Sequence, residues 1–231
     1  MRDYIRPSCC ISFAVLLLVN SAATWAESPA VANPDPARFA AEIERFAASD
    51  RQHAVPADGV LFVGSSSIRM WPTAESFPGL PVINRGFGGS HVSDVNHFAE
   101  RVVLKYSPRV IVFYAGDNDV AAGKSPEQVL GDFQAFVALV ESRLPETRIV
   151  YLPIKPSLLR WKLWPQMREA NALVEQLAAN DQWLTYVDTA TPMLSADGRP
   201  RPELFVDDGL HLSPAGYRLW SDILGEELTH R

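Results

Sequence analysis

Near the C-terminus, Asp208-Gly209-Leu210-His211 places a carboxylate three residues before an imidazole, just ahead of a predicted helix start at Ser213-Pro214. An imidazole removes a proton from a hydroxyl only when it is oriented and held in one tautomer, and a carboxylate accepting its other N–H does both. Asp207 competes with Asp208 for that role. A hydroxyl is available far upstream, where Ser65, Ser66 and Ser67 follow the apolar run Val60–Val63 and Gly64. On a strand-to-helix turn such a serine is exposed at the sheet end, although the same residues serve equally well as helix caps. Asn118 stands between Asp117 and Asp119 after the run Val110–Tyr114. Its amide can donate to a developing oxyanion, which the flanking carboxylates cannot do while ionised. Asp-Asn-Asp is also ordinary turn chemistry. Paired carboxylates would suit a glycosidase or a cation, but no second carboxylate stands at a suitable strand end. The stretch Asn84–Ser90 carries Gly86, Gly88 and Gly89, which let backbone approach a ligand closely. It matches neither common phosphate-loop pattern, so a nucleotide is not expected. His91 and His97 would point about 120° apart on a helix and cannot share a metal.

The elements that must position these groups follow from hydrophobic pattern. Short continuous apolar runs at Val60–Val63, Val82-Ile83, Val110–Tyr114, Ile149–Leu152 and Leu184–Val187 read as strands buried on both faces. Amphipathic stretches lie between them, one from Ala37 to Ala48 and another opened by Ser125-Pro126-Glu127-Gln128, which has a cap, a first-turn proline and a capping-box glutamine. Two more run through Trp161–Leu177 and from Ser213-Pro214 to Leu228. Strand and helix in alternation predict an α/β fold with a parallel sheet covered on both faces. Ligands then bind at the carboxyl ends of the strands, which is where the serines, the glycines and Asn118 fall. The loop after the fourth run reaches the same rim, making Lys155, Arg160 and Trp161 candidates for a substrate wall. Against this, Trp161 could pack in the core with the two basic groups solvated.

The chain has 231 residues, 47% of them hydrophobic, and a formal net charge of −6. That charge argues against nucleic acid and against anionic membrane surfaces as partners. Arg2 and Arg6, the apolar run Ile11–Val19 and the small residues of Ala22–Ala26 resemble a secretory signal peptide with cleavage expected after Ala26. Both cysteines, Cys9 and Cys10, would leave with it, so the mature chain would have neither disulfide nor thiolate chemistry. Residues 27–57 read as a proline-rich lead-in and a helix packed on the domain, and 58–231 as the domain itself, periplasmic or secreted, with no stable insertion in a membrane once the signal is removed.

Four stretches in chain order, Phe62-Val63-Gly64-Ser65-Ser66, Gly86-Phe87-Gly88-Gly89, Gly116-Asp117-Asn118-Asp119 and Asp208-Gly209-Leu210-His211, resemble the four blocks of the SGNH, or GDSL-type, hydrolases. The resemblance runs from about residue 58 to the C-terminus. It implies a flavodoxin-like three-layer α/β/α sandwich around a five-stranded parallel sheet. It also implies Ser66, Asp208 and His211 as catalytic triad, the backbone of Ser66 and Gly89 with the Asn118 amide as oxyanion donors, and no metal or other cofactor. The implied substrates are carboxylic esters of lipids, aryl alcohols or acylated sugars, cleaved through an acyl-enzyme. An acyltransferase, a thioesterase or a non-catalytic binding module could share these blocks. The chain departs from the family pattern at Ser65, where the name-giving motif has an aspartate that is not the triad acid.

Overall fold

The computed structural model describes residues 30–56 and 58–229; the signal-peptide reading of residues 1–26 lies outside them, as does His230. Five strands, β1 (Val60–Gly64), β2 (Val82–Gly86), β3 (Val110–Tyr114), β4 (Arg148–Tyr151) and β5 (Leu184–Tyr186), pair in parallel in the order β2-β1-β3-β4-β5. The α-helices between and around them are α1 (Ala40–Gln52), the short α2 (Ser66–Arg69) and α3 (Thr73–Ser76), α4 (Val92–Val102), the short α5 (Asp117–Ala121), α6 (Pro126–Arg143), α7 (Trp164–Ala178) and α8 (Pro214–Thr229).

The unbroken apolar runs have a simple cause, since successive side chains leave a strand on opposite faces and both faces are buried. Leu61, Val63, Ile111, Phe113, Ile149 and Tyr151 meet α1, α4, α6 and α7 through residues such as Ile43, Phe98, Phe133 and Met167. Phe62, Val112, Tyr114, Val150 and Leu152 meet the other layer through Ile68, Trp71, Phe77, Trp220 and Leu224. Each such side chain contributes roughly 1.5–3 kcal/mol by leaving water. The three-layer sandwich expected from the sequence is the fold observed.

Ser125 caps α6 as its sequence predicts, its hydroxyl accepting from the Gln128 N–H at 3.3 Å while the Gln128 side chain accepts the Ser125 N–H at 3.3 Å. The Gln128 amide also bonds both backbone groups of Val31, fastening the lead-in to the domain. Strand β2 is longer than Val82-Ile83 suggests, because an edge strand tolerates polar residues that bond outside the sheet. The Asn84 amide donates to the Ile68 carbonyl at 2.7 Å, and Arg85 donates to the Tyr106 hydroxyl at 2.6 Å and pairs with Asp50. Strand β1 has β2 on one side and β3 on the other, so the chain changes direction across the sheet there and leaves a crevice at the carboxyl ends of β1 and β3.

Candidate active site

Gly64 ends β1 with a φ of +136°, and a Cβ there would stand 1.8 Å from the Tyr114 carbonyl oxygen. Only glycine permits that approach. The chain then crosses the end of β3, with the Ser65 N–H donating to the same carbonyl at 2.9 Å, and α2 begins. This turn gives the three serines different surroundings. Ser65 is the residue before the helix, yet its hydroxyl caps nothing and is buried without a hydrogen-bond partner. The Ser67 hydroxyl is buried and accepts from Lys155 Nζ at 3.1 Å. Ser66 is half-buried, and its Oγ lies 3.0 Å from His211 Nε2.

His211 is held by a tight return of the chain. Val206 N–H donates to the His211 carbonyl and Gly209 N–H to the Val206 carbonyl, both at 2.9 Å, and Phe205 bridges Leu212. Within that turn Asp208 Oδ1 accepts the N–H groups of Leu210 at 2.8 Å and His211 at 2.9 Å, while Oδ2 stands 2.5 Å from His211 Nδ1. The bond from the His211 ring, followed by the two from the backbone, holds the Asp208 carboxyl down at about 2. It is therefore ionised wherever an imidazole can act as a base. Nδ1–H donates to Asp208, so Nε2 turns its lone pair to the Ser66 hydroxyl. Asp207 is exposed and makes no such bond, so Asp208 is the aspartate that the fold brings to the imidazole.

The N–H groups of Ser66 and Gly89 donate to no protein atom among the described residues. Gly89 is exposed with a φ of +82°, a conformation that costs a residue with a Cβ. Asn118 lies in the first turn of α5, where Nδ2 donates to the Ser90 carbonyl at 3.1 Å and Oδ1 accepts from Arg160 Nη2 at 3.0 Å. A guanidinium has only donors, so Arg160 decides which end of the amide is oxygen and leaves one N–H of Nδ2 for a ligand. Asp119 is fully buried, pairs with Lys124 at 2.9 Å and accepts the Val92 N–H at 3.2 Å. It thereby ties the start of α4, just past Gly89, to α5. Burial pushes its carboxyl up to about 6 against the pull of Lys124.

The proposed substrate wall divides into three different environments. Lys155 is only 1% exposed, bonded to Ser67 and, at 3.0 Å, to the Tyr114 hydroxyl, and 3.4 Å from Asp117. It lies beneath the site and not on its rim, because the buried Asp117 and two hydroxyls take up its ammonium group. Arg160 pairs with the same Asp117 oxygen at 3.0 Å, and its side chain retains 18% exposure. Trp161 is half-buried, offset-stacked on Trp164 at 6.2 Å, with Arg199 at 5.7 Å from its ring. A continuous run of polar contacts, Asn118 to Arg160 to Asp117 to Lys155 to Ser67, therefore passes under the crevice from the Asn118 amide to the turn of the three serines. Sequence reading misses it, since Asp117 looks like a turn residue and its partners lie some 40 positions on. His91 caps α4 and His97 lies edge-on to Phe98, and they are not brought together.

The sequence profile of the GDSL-like Lipase/Acylhydrolase family matches residues 69–219, which include Gly89, Asn118, Asp208 and His211 and begin just past Ser66. The chain is 30% identical over 169 residues to platelet-activating factor acetylhydrolase IB subunit alpha1 of Homo sapiens, covering 68% of this chain and 70% of that protein. With the alpha2 subunit of Homo sapiens the identity is 32% over 171 residues, covering 68% and 70%. A GDSL-like lipase from Bacteroides thetaiotaomicron has the same fold, with a TM-score of 0.69 at 20% identity over 81% of this chain and 97% of that one. So does a variant of an acetyl-xylooligosaccharide esterase from Geobacillus Stearmophilus, with a TM-score of 0.62 at 17% identity over 78% and 98%.

Proposed function

Because the chain belongs to the GDSL-like lipase/acylhydrolase family, hydrolases acting on ester bonds, we propose that it cleaves carboxylic esters with Ser66 as nucleophile, His211 as base and Asp208 as the group that orients it. The observation that carries this reading is one imidazole with Ser66 Oγ 3.0 Å from Nε2 and Asp208 Oδ2 2.5 Å from Nδ1. Ser66 Oγ attacks the ester carbonyl carbon as Nε2 takes its proton. The oxyanion receives the N–H groups of Ser66 and Gly89 and the remaining N–H of Asn118. The imidazolium then protonates the leaving alcohol, giving an acyl-enzyme. Water, deprotonated by the same nitrogen, attacks the acyl group, and loss of the carboxylic acid restores Ser66.

Two of the similar proteins are named for acetyl esters, and we extend to this chain a preference for short acyl groups. The test is hydrolysis of p-nitrophenyl esters of increasing chain length, in which turnover should be highest at acetyl or near it. Absence of hydrolysis across the series would overturn the esterase reading. In the same assay Asn118→Ala should lose on the order of 10²–10³-fold in kcat, with a smaller change in KM, because its amide acts on charge that exists only in the transition state. Arg160→Met keeps the donor and removes only its orientation, so its loss should be smaller. An Asn118→Ala protein that folds and retains full turnover would contradict the oxyanion assignment.

We also propose that the protein is exported, on the strength of Arg2, Arg6, the run Ile11–Val19 and the small residues ending at Ala26. N-terminal sequencing of protein recovered outside the cytoplasm should then begin at Glu27, and a retained Met1 would contradict export by cleavage.

A further inference from the structure

We propose that the mouth of this site docks on a lipid bilayer bearing anionic headgroups, through Leu158, Leu159 and Val206 with a flanking set of basic side chains; the proposal rests on the esterase reading only for the purpose it gives the docking. The large apolar side chains exposed on the described surface are few, and three of them gather at the turn that carries His211, Val206 on the turn itself and Leu158 and Leu159 on the loop after β4 that packs against it. Leu158 is 41% exposed, Leu159 64% and Val206 40%. The Leu159 N–H donates to the Gly209 carbonyl at 3.0 Å, the side chain of Leu158 lies against Gly209, and Val206 bonds the His211 backbone. Proton transfer does not require any of these three side chains, and leaving them in water gains nothing for the folded state.

The chain beyond them reads Arg160-Trp161-Lys162-Leu163-Trp164, so apolar, aromatic and basic residues follow one another over one short stretch. Leu163 and Trp164 turn inward onto the core, leaving Trp161 half-buried at the surface and Lys162 exposed. Lys162, Arg168 and Arg199 are all exposed and form no ion pair among the described residues, while Arg160 is taken up by Asp117. Exposed leucines beside an amphipathic tryptophan and unpaired cations fit the boundary between headgroups and acyl chains. The acidic groups beside this set are Asp207, Asp208, already bonded to His211, and Asp197, whose charge faces Arg199. Arg168 shares a cleft with Glu175 and Asp188, which leaves Lys162 as the cation with least opposing charge. The net charge of −6 disfavours an anionic surface at long range. Beyond about 8 Å at physiological salt that repulsion is screened, so at contact the local cations and the buried leucines decide.

The mature protein would be sedimented with vesicles of phosphatidylcholine, with and without phosphatidylglycerol, beside Leu159→Asp and Lys162→Glu. All three would also be assayed on p-nitrophenyl acetate in solution. The wild type should sediment with both vesicles, more with the anionic ones and less as salt rises. Leu159→Asp should partition about tenfold more weakly on both, since a leucine no longer leaves water, and Lys162→Glu more weakly on the anionic vesicles alone. Hydrolysis in solution should be unchanged. Absence of sedimentation by the wild type, or equal sedimentation of Leu159→Asp, would overturn the docking. A parallel loss of soluble hydrolysis in Leu159→Asp would also overturn it, making the rim a wall for single substrate molecules. If the wild type fails to hydrolyse the soluble ester, the esterase reading falls and the vesicle result still decides the docking.

Discussion

Ser66→Ala should abolish ester hydrolysis, with kcat falling by roughly 10⁶-fold, the scale seen when the nucleophile of a triad is removed. The expectation is this large because neither neighbouring serine can take over. The Ser65 hydroxyl is buried and bonded to nothing, the imidazole included, and the Ser67 hydroxyl is buried and bonded to Lys155. The fold has little to lose, since the Ser66 side chain is half-buried and caps no helix. The variant should therefore melt close to the wild type while losing turnover, measured by circular dichroism and p-nitrophenyl acetate hydrolysis on one preparation. Retained activity would pass the nucleophile's role to another hydroxyl.

Asp208→Asn should cost on the order of 10⁴-fold in kcat. The asparagine oxygen can keep the two backbone bonds that Asp208 makes to Leu210 and His211, so the turn should persist. Its amide nitrogen, however, would face Nδ1 and donate to it, placing the ring proton on Nε2. That nitrogen would then point a proton at the Ser66 hydroxyl and could not accept one. Normal melting with a large loss in kcat and a modest change in KM is the expected pattern. Equal loss of stability and activity would instead mean that Asp208 serves only to hold the turn.

The strands and the grouping of the candidate site residues were legible because their signals are local. An unbroken run such as Val110–Tyr114 has few explanations other than a strand buried on both faces, and the groups that follow each run fall at the carboxyl end of the sheet by topology alone. The outer elements were less legible. Strand β2 continues through Asn84 and Arg85, whose polarity hides a strand unless its place at the sheet edge is known. Helix α4 opens on His91 with Asp94 closing the cap, in place of the serine or threonine that usually marks a helix start. The supports under the site were least legible. Lys155 and Arg160 share a loop with Trp161, and position alone put all three on a substrate wall. Only the folded contacts show that Lys155 holds the turn of Ser65–Ser67 while Arg160 holds the amide of Asn118. Asp117, which joins them, looks like turn chemistry until its burial and its two cationic partners are known.

The most direct test of the central claim is to inactivate the enzyme with a fluorophosphonate and map the adduct by peptide mass spectrometry. Such a reagent traps a serine that is activated as a nucleophile. A single adduct, on Ser66, is expected, and none in a folded His211→Ala protein. An adduct on Ser65 or Ser67, or full labelling of Ser66 without His211, would contradict that claim.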